Sequence, residues 1–312
     1  MTQFTFGVDI SKTHLDVCRL PDGVHRRFVY DKTGLKALIK WLAAEPVERI
    51  VYEPTGRYHR SFERRMTEAG FPLSKVNPRQ ARRFAESIGR LAKTDRVDAA
   101  MLARMGTALT PALYVPSSQT LVDMQDLLMA RRALIKDRTA AQNRSEGMAL
   151  TLLKQQNAAR LKQIGAHLEA VEDELMARVI ADKDLKTRFD ILVSIPGIGQ
   201  AGALSLLIDM PELGTLDNKQ VAALMGVAPM AKESGKWSGR ASIKGGRRDL
   251  RHDLYMPAVV ACRFNPDLKA FYEKLRAAGK SGKVAITAVM RKLTILANAL
   301  IRKNTKWIDL RV

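Results

Sequence analysis

Four acidic residues in the first third of the chain are placed where their carboxylates could meet. Asp9 ends the strand-like segment FTFGVDI, and Glu53 ends a second strand-like segment, RIVYE. Asp95 and Asp98 are three residues apart at the start of a predicted helix, so both can project from one face. Clustered carboxylates repel unless cations neutralise them, and hard oxygen ligands suit Mg²⁺ or Mn²⁺. The pattern indicates a metal site, in which two ions about 4 Å apart can activate a nucleophile towards phosphorus.

Each of these carboxylates also has an ordinary structural interpretation. Asp95 could cap its helix, and Asp98 could favour the dipole of the first helical turn. Asp9 could belong to a surface turn, and Glu53 could pair with a nearby arginine. The metal-site hypothesis therefore rests on the occurrence of all four in one α/β domain of a very basic protein.

The segment KESGKWSGRASIKGGRR, residues 232–248, predicts a flexible phosphate-binding loop. Its Ser234 lies between an acidic residue and a glycine, and a serine hydroxyl needs a base or a metal to become a nucleophile. No histidine lies in the segment, so Ser234 could equally be a linker serine, and Ser238 and Ser242 are rival candidates. The basic residues predicted to contact nucleic acid here are Lys236, Arg240, Lys244, Arg247, Arg248 and Arg251.

The segment LVSIPGIGQAGALSLL, residues 192–207, resembles a helix-hairpin-helix. Gly197 and Gly199 would let the backbone approach a phosphate, and the following helix offers unpaired N–H groups. Such contacts position a protein on nucleic acid without reading its sequence. The structural alternative is a glycine-rich connection between two helices.

Charge identifies the class of partner. The net charge is +20 and the sequence pI about 10.2, and residues 231–312 contain 19 basic and 6 acidic residues. A localised positive excess of this kind favours nucleic acid over an anionic membrane surface. The sequence has no uncharged apolar run of membrane-spanning length and no signal-peptide pattern. Two cysteines far apart fit a reducing cytoplasm, which is the expected location.

Three regions follow from the hydrophobic patterns. Residues 1–115 alternate strand and helix signals, beginning with a hairpin turned by Pro-Asp-Gly, which predicts an α/β domain with a mixed sheet. Residues 116–182 are predicted to be a helical arm. Residues 183–312 are predicted to be a basic, mainly α-helical domain.

A short coiled-coil seam marks the predicted arm. The seam has three-four spacing over about two heptads and consists of Leu161, Ile164, Leu168, Val171 and Leu175. It could close an antiparallel hairpin within one chain or join two chains. The interpretation favoured here is an arm that helps oligomerisation.

The order of several segments resembles the IS110 family of insertion-sequence transposases, which includes the Piv-type DNA invertases. The similar segments are GVDISKTHLDV, VYEPTGRYH, VNPRQARRFAESIGRLAKTDRVDAAMLA, SIPGIGQAGALSLL, GVAPMAKESGKWSGRASIKGGRRDLRHDLYMPA and GKVAITAVMRKLTILA. The resemblance implies a RuvC-like N-terminal domain on the ribonuclease H fold. Its DEDD metal site would fall on Asp9, Glu53, Asp95 and Asp98. It also implies a transposase domain whose catalytic serine, within ESG, falls on Ser234.

The resemblance further implies a function. In the family the serine is held to attack a DNA phosphate and form a phosphoserine intermediate, and a noncoding bridge RNA is described as pairing with donor and target DNA. We therefore expect a DNA recombinase using Mg²⁺ or Mn²⁺, acting as a dimer or tetramer with a composite active site across protomers. Two alternatives remain: a metal-dependent Holliday-junction-type nuclease that uses water, and a non-enzymatic RNA-binding scaffold with structural carboxylates.

Overall fold

A computed structural model describes residues 3–54, 56, 58–89, 94–234 and 237–308. Of residues 232–234, 237, 238 and 240, only the backbone is described. The chain divides into two compact units, residues 1–117 and 118–312. The first unit is an α/β domain with a mixed sheet, and the second unit is mostly helical, as the sequence predicts.

The sheet of the first unit has the order β3-β2-β1-β4-β5. Its strands are β1 (Phe4–Ile10), β2 (His14–Leu20), β3 (His25–Val29), β4 (Val47–Tyr52) and β5 (Leu73–Lys75). Strands β1, β2 and β3 are antiparallel neighbours, whereas β4 runs parallel to β1 and β5 parallel to β4. This mixed topology is compatible with a RuvC-like domain.

Helices lie between or after these strands because parallel neighbours need crossover connections. They are α1 (Lys32–Ala43), α2 (His59–Glu68), α3 (Pro78–Ser87) and α4 (Asp95–Leu109). Helix α1 begins at the N-cap Asp31, whose side chain accepts a hydrogen bond from the Gly34 N–H at 2.7 Å. Its apolar face includes Trp41, which meets Phe6 of β1 edge to face at 5.4 Å. The central strand β1 is therefore held in a buried position, which fixes the place of the residues at its end.

Helix α4 lies directly on β1 because Gly7 has no side chain. A Cβ atom at Gly7 would stand 2.1 Å from the carbonyl oxygen of Ala99 and 2.3 Å from the N–H nitrogen of Ala103. Ala99 and Ala103 are themselves completely buried. This backbone-to-backbone contact fixes the distance between β1, which carries Asp9, and α4, which carries Asp95 and Asp98.

Replacing Gly7 with alanine is expected to lower the free energy of unfolding by about 3 kcal/mol or more, because the added methyl overlaps backbone atoms that cannot rotate away. Urea unfolding followed by circular dichroism measures the change. Gly165→Ala is the matched control, since a Cβ there meets nothing within 4 Å and alanine favours a helix. Equal stability of Gly7→Ala and wild type would contradict the described packing.

The second unit contains nine described helices and one described hairpin. The helices are α5 (Gln119–Ser145), α6 (Thr151–Ala181), α7 (Lys183–Val193), α8 (Gln200–Asp209), α9 (Asn218–Met225), α10 (Arg248–Asp253), α11 (Tyr255–Phe264), α12 (Pro266–Ala277) and α13 (Gly282–Lys303). Buried residues from α5 to α13 form one apolar cluster. Helix α13 is, among the described residues, the one helix long and apolar enough to cross a membrane by length and composition. One face of α13 packs into this cluster through Val289, Met290, Leu293 and Ala297.

Helices α5 and α6 form an antiparallel pair within one chain. Arg178 of α6 lies 2.9 Å from Asp123 near the start of α5, and Arg131 lies 2.7 Å from Glu172. Further along, the Asn157 side chain donates to the Ala141 carbonyl oxygen at 3.0 Å. The predicted seam residues Ile164, Leu168 and Leu175 are buried in this pair. The contacts within the chain are thus those of a hairpin, and a role in oligomerisation stays a prediction.

The predicted loop at 232–248 was partly wrong, because most of it forms a β-hairpin. Strand β6 (Pro229–Ser234) pairs antiparallel with β7 (Trp237–Ile243), and Ser234 is opposite Trp237. The two residues between them, Gly235 and Lys236, lie outside the described residues. A two-residue connection that starts with glycine is a common hairpin pattern. The many glycines and serines of the segment favour a loop, whereas this spacing favours a hairpin.

Candidate active site

Strands β1 and β4 bring Asp9 and Glu53 to the same edge of the sheet. Asp9 is the penultimate residue of β1, and Glu53 directly follows β4. Because Val8 and Tyr52 are paired in the parallel register, the residues that follow them, Asp9 and Glu53, lie at the same level along the two strands. The completely buried Tyr52 is anchored by its hydroxyl, which donates to Glu63 at 2.6 Å. The predicted meeting of these two strand ends is confirmed, and Asp9 does not belong to a surface turn.

Asp95 and Asp98 both lie in the first turn of α4. The N-cap is Thr94, whose hydroxyl accepts a hydrogen bond from the Val97 N–H at 3.3 Å. The interpretation of Asp95 as the helix cap was therefore wrong, because threonine already performs that role. Asp98 occupies the first turn, where a negative charge is favoured by the helix dipole.

Electrostatics link all four predicted carboxylates. The pKa of Asp9 is raised to about 6, first by burial and then by the negative charges of Asp95, Asp98, Asp16 and Glu53. A carboxylate whose pKa is raised by four others belongs to an anionic cluster. Asp9 is thus influenced by the other three carboxylates that the sequence singled out, and also by a fifth, Asp16.

Asp16 was missed by the sequence analysis. It lies on β2 directly opposite Asp9 in the antiparallel register, and it is only 1% exposed. Arg27 on β3 holds it through Nε, at 3.0 and 3.1 Å from the two carboxylate oxygens, and through Nη2 at 2.9 Å. His25 Nε2 lies 3.1 Å from Asp16 Oδ1. An aspartate within a buried strand, followed by a strand rich in basic residues, was the signal that could have revealed this pair.

The donor chemistry of the cluster fits a divalent cation. Its side chains are carboxylates, and their mutual repulsion is what a bound cation would relieve. Among the residues that the structure describes, however, no three acidic, histidine or cysteine side chains already form a metal-ligand group. Asp9 is thus within electrostatic range of the other carboxylates, but the described side chains do not form a group that could hold a metal ion.

Replacing Asp9 with asparagine is expected to flatten the pH dependence of stability in the metal-free protein. Its folded pKa of about 6 lies above the ordinary value of 3.8, so the folded state binds the proton more tightly. The stabilisation is therefore complete below about pH 4 and is lost as the pH rises through about 6. Urea unfolding in a metal chelator between these pH values measures the slope.

The matched control for this titration is Asp184→Asn, because Asp184 has a highly exposed side chain on α7. Its pH profile should follow that of wild type. If Asp9→Asn has the same slope as wild type, the described electrostatic coupling is contradicted.

The candidate nucleophile lies on the second unit. Ser234 is the last residue of β6, at the end of the hairpin where the chain turns towards β7. Its rivals Ser238 and Ser242 both belong to β7, opposite Glu233 and Met230. The hairpin therefore distinguishes Ser234 from the other two by its place beside the turn.

The basic residues after the hairpin differ in what they contact. Arg247 forms a two-pronged ion pair with Glu212 at 2.6 and 2.8 Å, and Arg251 donates to the carbonyl oxygens of Gly226 and Gly245. Lys244 and Arg248 are exposed. Of the other predicted contacts, Lys236 and the side chain of Arg240 lie outside the described residues. Arg247 and Arg251 thus brace the fold, while Lys244 and Arg248 remain accessible to a phosphate.

The two glycines of the predicted helix-hairpin-helix have different surroundings. Gly197 has a φ of +109°, and a Cβ there would lie 2.8 Å from the Ala261 backbone. Its lack of a side chain is therefore explained by packing against α11. Gly199 is the exposed N-cap of α8, with nothing within 4 Å of a Cβ. A phosphate contact is sterically open at Gly199, and it stays a prediction.

Known protein families and known proteins are similar to this chain over most of its length. A family model for a DEDD transposase of the IS110 type matches residues 6–155, and a model for transposases of the IS116/IS110/IS902 family matches residues 189–273. The pilin gene-inverting protein of Moraxella bovis is 28% identical over 97% of both chains, as is that of Moraxella lacunata. The transposase for insertion sequence element IS1111A of Coxiella burnetii is 24% identical over 73% of this chain and 69% of its own.

The α/β domain with its carboxylate cluster and the two matching models define the class of protein, a DEDD-type transposase that recombines DNA. The chain belongs to the IS110 family of transposases. The resemblance recognised in the sequence is confirmed. A DEDD domain also points to dependence on a divalent metal ion.

Proposed function

We propose that this transposase cuts and rejoins DNA strands with Ser234 as its nucleophile and Asp9, Glu53, Asp95 and Asp98 as ligands for Mg²⁺ or Mn²⁺. The observation that carries the proposal is the electrostatic coupling of Asp9 to the other three predicted ligands. Repulsion of Asp9 by three carboxylates that lie on other segments is not expected from residues with separate structural roles. The position of Ser234 beside the hairpin turn supports its assignment.

The proposed reaction is a transesterification at phosphorus. The Ser234 hydroxyl loses its proton as its oxygen bonds to the scissile phosphate, and the bond from phosphorus to the leaving DNA oxygen breaks. The leaving oxygen takes up a proton and becomes a strand-end hydroxyl. A divalent ion, when bound, would supply charge neutralisation at phosphate and favour the serine alkoxide. Attack by a hydroxyl of another strand on the phosphoserine then releases Ser234 and rejoins DNA without loss of a nucleotide.

We propose that a noncoding bridge RNA selects the DNA sites by base pairing with donor and target DNA. A protein that delegates sequence reading to base pairing needs mainly backbone contacts, and the chain has a net charge of +20 with only 6% aromatic residues. We propose a homodimer or homotetramer acting in the cytoplasm. DNA recombination by a monomer would contradict the proposed oligomeric state.

Binding of the RNA and of DNA is expected to fall steeply with salt, because phosphate contacts release condensed counterions. With six or more contacts, affinity should drop on the order of 10³-fold between about 50 and 200 mM salt. Filter binding or fluorescence anisotropy over this range gives the slope. A nearly flat salt dependence would contradict backbone recognition by the basic surface.

A covalent-trapping assay tests the proposed chemistry. The protein, its candidate RNA, Mg²⁺ and labelled donor and target DNA are mixed and separated on a denaturing gel. A protein–DNA band that disappears in Ser234→Ala and in Asp9→Ala supports a serine nucleophile that depends on the carboxylates. Cleavage without an adduct, retained in Ser234→Ala, would instead support the water-using nuclease. RNA binding without any metal-dependent cleavage would support the scaffold.

A further inference from the structure

We infer that Arg27 is a counter-ion of the carboxylate cluster that holds Asp95 in the metal-free protein and releases it when a divalent cation binds. The inference rests on the metal site of the proposed function. It assigns a role to a residue outside the four predicted ligands.

Arg27 connects two carboxylates on different elements. Its guanidinium is 2.9–3.1 Å from Asp16 on β2, and its Nη2 is 3.4 Å from Asp95 Oδ2 on α4. The shorter, two-pronged contact with Asp16 is the stronger one, and the longer contact with Asp95 is weaker. Arg27 is thus anchored at one end and only loosely engaged at the other.

The solvent exposure of the side chains also shows that Arg27 is held more firmly by Asp16 than by Asp95. The Asp16 side chain is 2% exposed, whereas those of Arg27 and Asp95 are 53% and 54% exposed. A buried carboxylate without its partner is costly, so Asp16 keeps Arg27 in place. An exposed ion pair contributes little, so Asp95 can rotate away from Arg27 at small cost. The geometry therefore permits exchange of Asp95 from Arg27 to a cation, with the Asp16–Arg27 pair intact.

The charges explain why a counter-ion is needed there. Asp9 is repelled by Asp16, Asp95, Asp98 and Glu53, and Arg27 neutralises part of this negative charge by contacting two of the five carboxylates. The same positive charge also opposes an incoming divalent cation and occupies an oxygen of Asp95. Arg27 should consequently stabilise the metal-free fold and weaken metal binding.

Two simpler roles for Arg27 make different predictions. If it is only a structural ion pair, its loss lowers stability and leaves metal affinity unchanged. If it only contacts a DNA phosphate, its loss weakens DNA binding and leaves metal affinity in the free protein unchanged. Metal affinity in the absence of DNA therefore separates the inferred role from both.

The test is Mn²⁺ binding to the full chain at neutral pH, with free Mn²⁺ measured by electron paramagnetic resonance. Arg27→Gln is expected to bind Mn²⁺ more tightly, on the order of tenfold, because a positive charge near the ion has been removed. Arg26→Gln is the matched control, since Arg26 is the adjacent residue on β3 and stacks over Trp41 at 4.8 Å instead. Its Mn²⁺ affinity should equal that of wild type.

The double variant Arg27→Gln with Asp16→Asn guards against misfolding, because it removes both charges of the buried pair. It should bind Mn²⁺ more tightly than Asp16→Asn alone, in which Arg27 keeps its positive charge. Unchanged or weaker binding in both comparisons, Arg27→Gln with wild type and the double variant with Asp16→Asn, overturns the inference alone, provided that wild type binds Mn²⁺ and Asp9→Asn does not. If the wild-type chain binds no Mn²⁺, the proposed metal site and the inference fall together.

Discussion

Ser234→Ala is expected to abolish strand transfer, with a loss on the order of 10³-fold or more, because an alanine methyl cannot form the phosphoserine bond. The protein should remain folded, since alanine differs from serine by one hydroxyl and Ser234 is the last residue of its strand. RNA and DNA binding should change little, since the net charge is unaltered. The loss therefore concerns the chemical step.

Recombination of paired donor and target DNA, together with the covalent adduct on a denaturing gel, measures this effect. Ser238→Ala and Ser242→Ala on β7 are the matched controls, and both should recombine DNA at nearly the wild-type rate. Loss of the adduct in Ser238→Ala or Ser242→Ala, with Ser234→Ala active, would move the nucleophile to the facing strand.

Glu53→Gln and Asp98→Asn are each expected to reduce DNA cleavage on the order of 10²–10³-fold. Each amide keeps the shape of the side chain but removes a negative charge from the proposed ligand set, so it weakens binding of the cation and its stabilisation of the phosphate. Relief of the charge repulsion on Asp9 offsets the loss of each carboxylate's own interactions, which for Asp98 include the helix dipole, so the metal-free fold should change little in stability. Activity should thus fall without a matching loss of stability.

Cleavage rates over a Mg²⁺ titration, paired with urea unfolding in a chelator, measure both quantities. Glu48→Gln is the control for Glu53→Gln, since Glu48 lies on the same strand and its carboxylate accepts a hydrogen bond from Thr5 instead. A chelator should stop cleavage by wild type. Full activity of both amide variants would favour the scaffold interpretation for these carboxylates or a ligand set elsewhere.

The site was predictable where it depended on strand ends and on local helix chemistry. The apolar runs before Asp9 and Glu53 marked two strands, and their parallel pairing placed both residues at one edge. The three-residue spacing of Asp95 and Asp98 placed both in one helical turn. These features follow from periodicity over a few residues, which a sequence contains directly.

The parts that the sequence could not supply depend on register and on distant contacts. Asp16 joins the cluster because the β1–β2 hairpin pairs it with Asp9, and Arg27 reaches it from a third strand. Arg247 is basic in sequence and looked available for phosphate, yet Glu212, thirty-five residues earlier, occupies it. No local pattern encodes such pairings, because they are decided by how whole elements pack.

The contact between Gly7 and helix α4 also affects how mutational data on this domain should be interpreted. The separation of Asp9 from the acidic turn of α4 is set by the radii of backbone atoms, which substitutions elsewhere in the core do not alter. Position 7 should consequently be as intolerant of substitution as the carboxylates, although glycine offers no ligand and no proton. Intolerance at a position in this domain therefore identifies residues that set spacing as well as residues that perform chemistry.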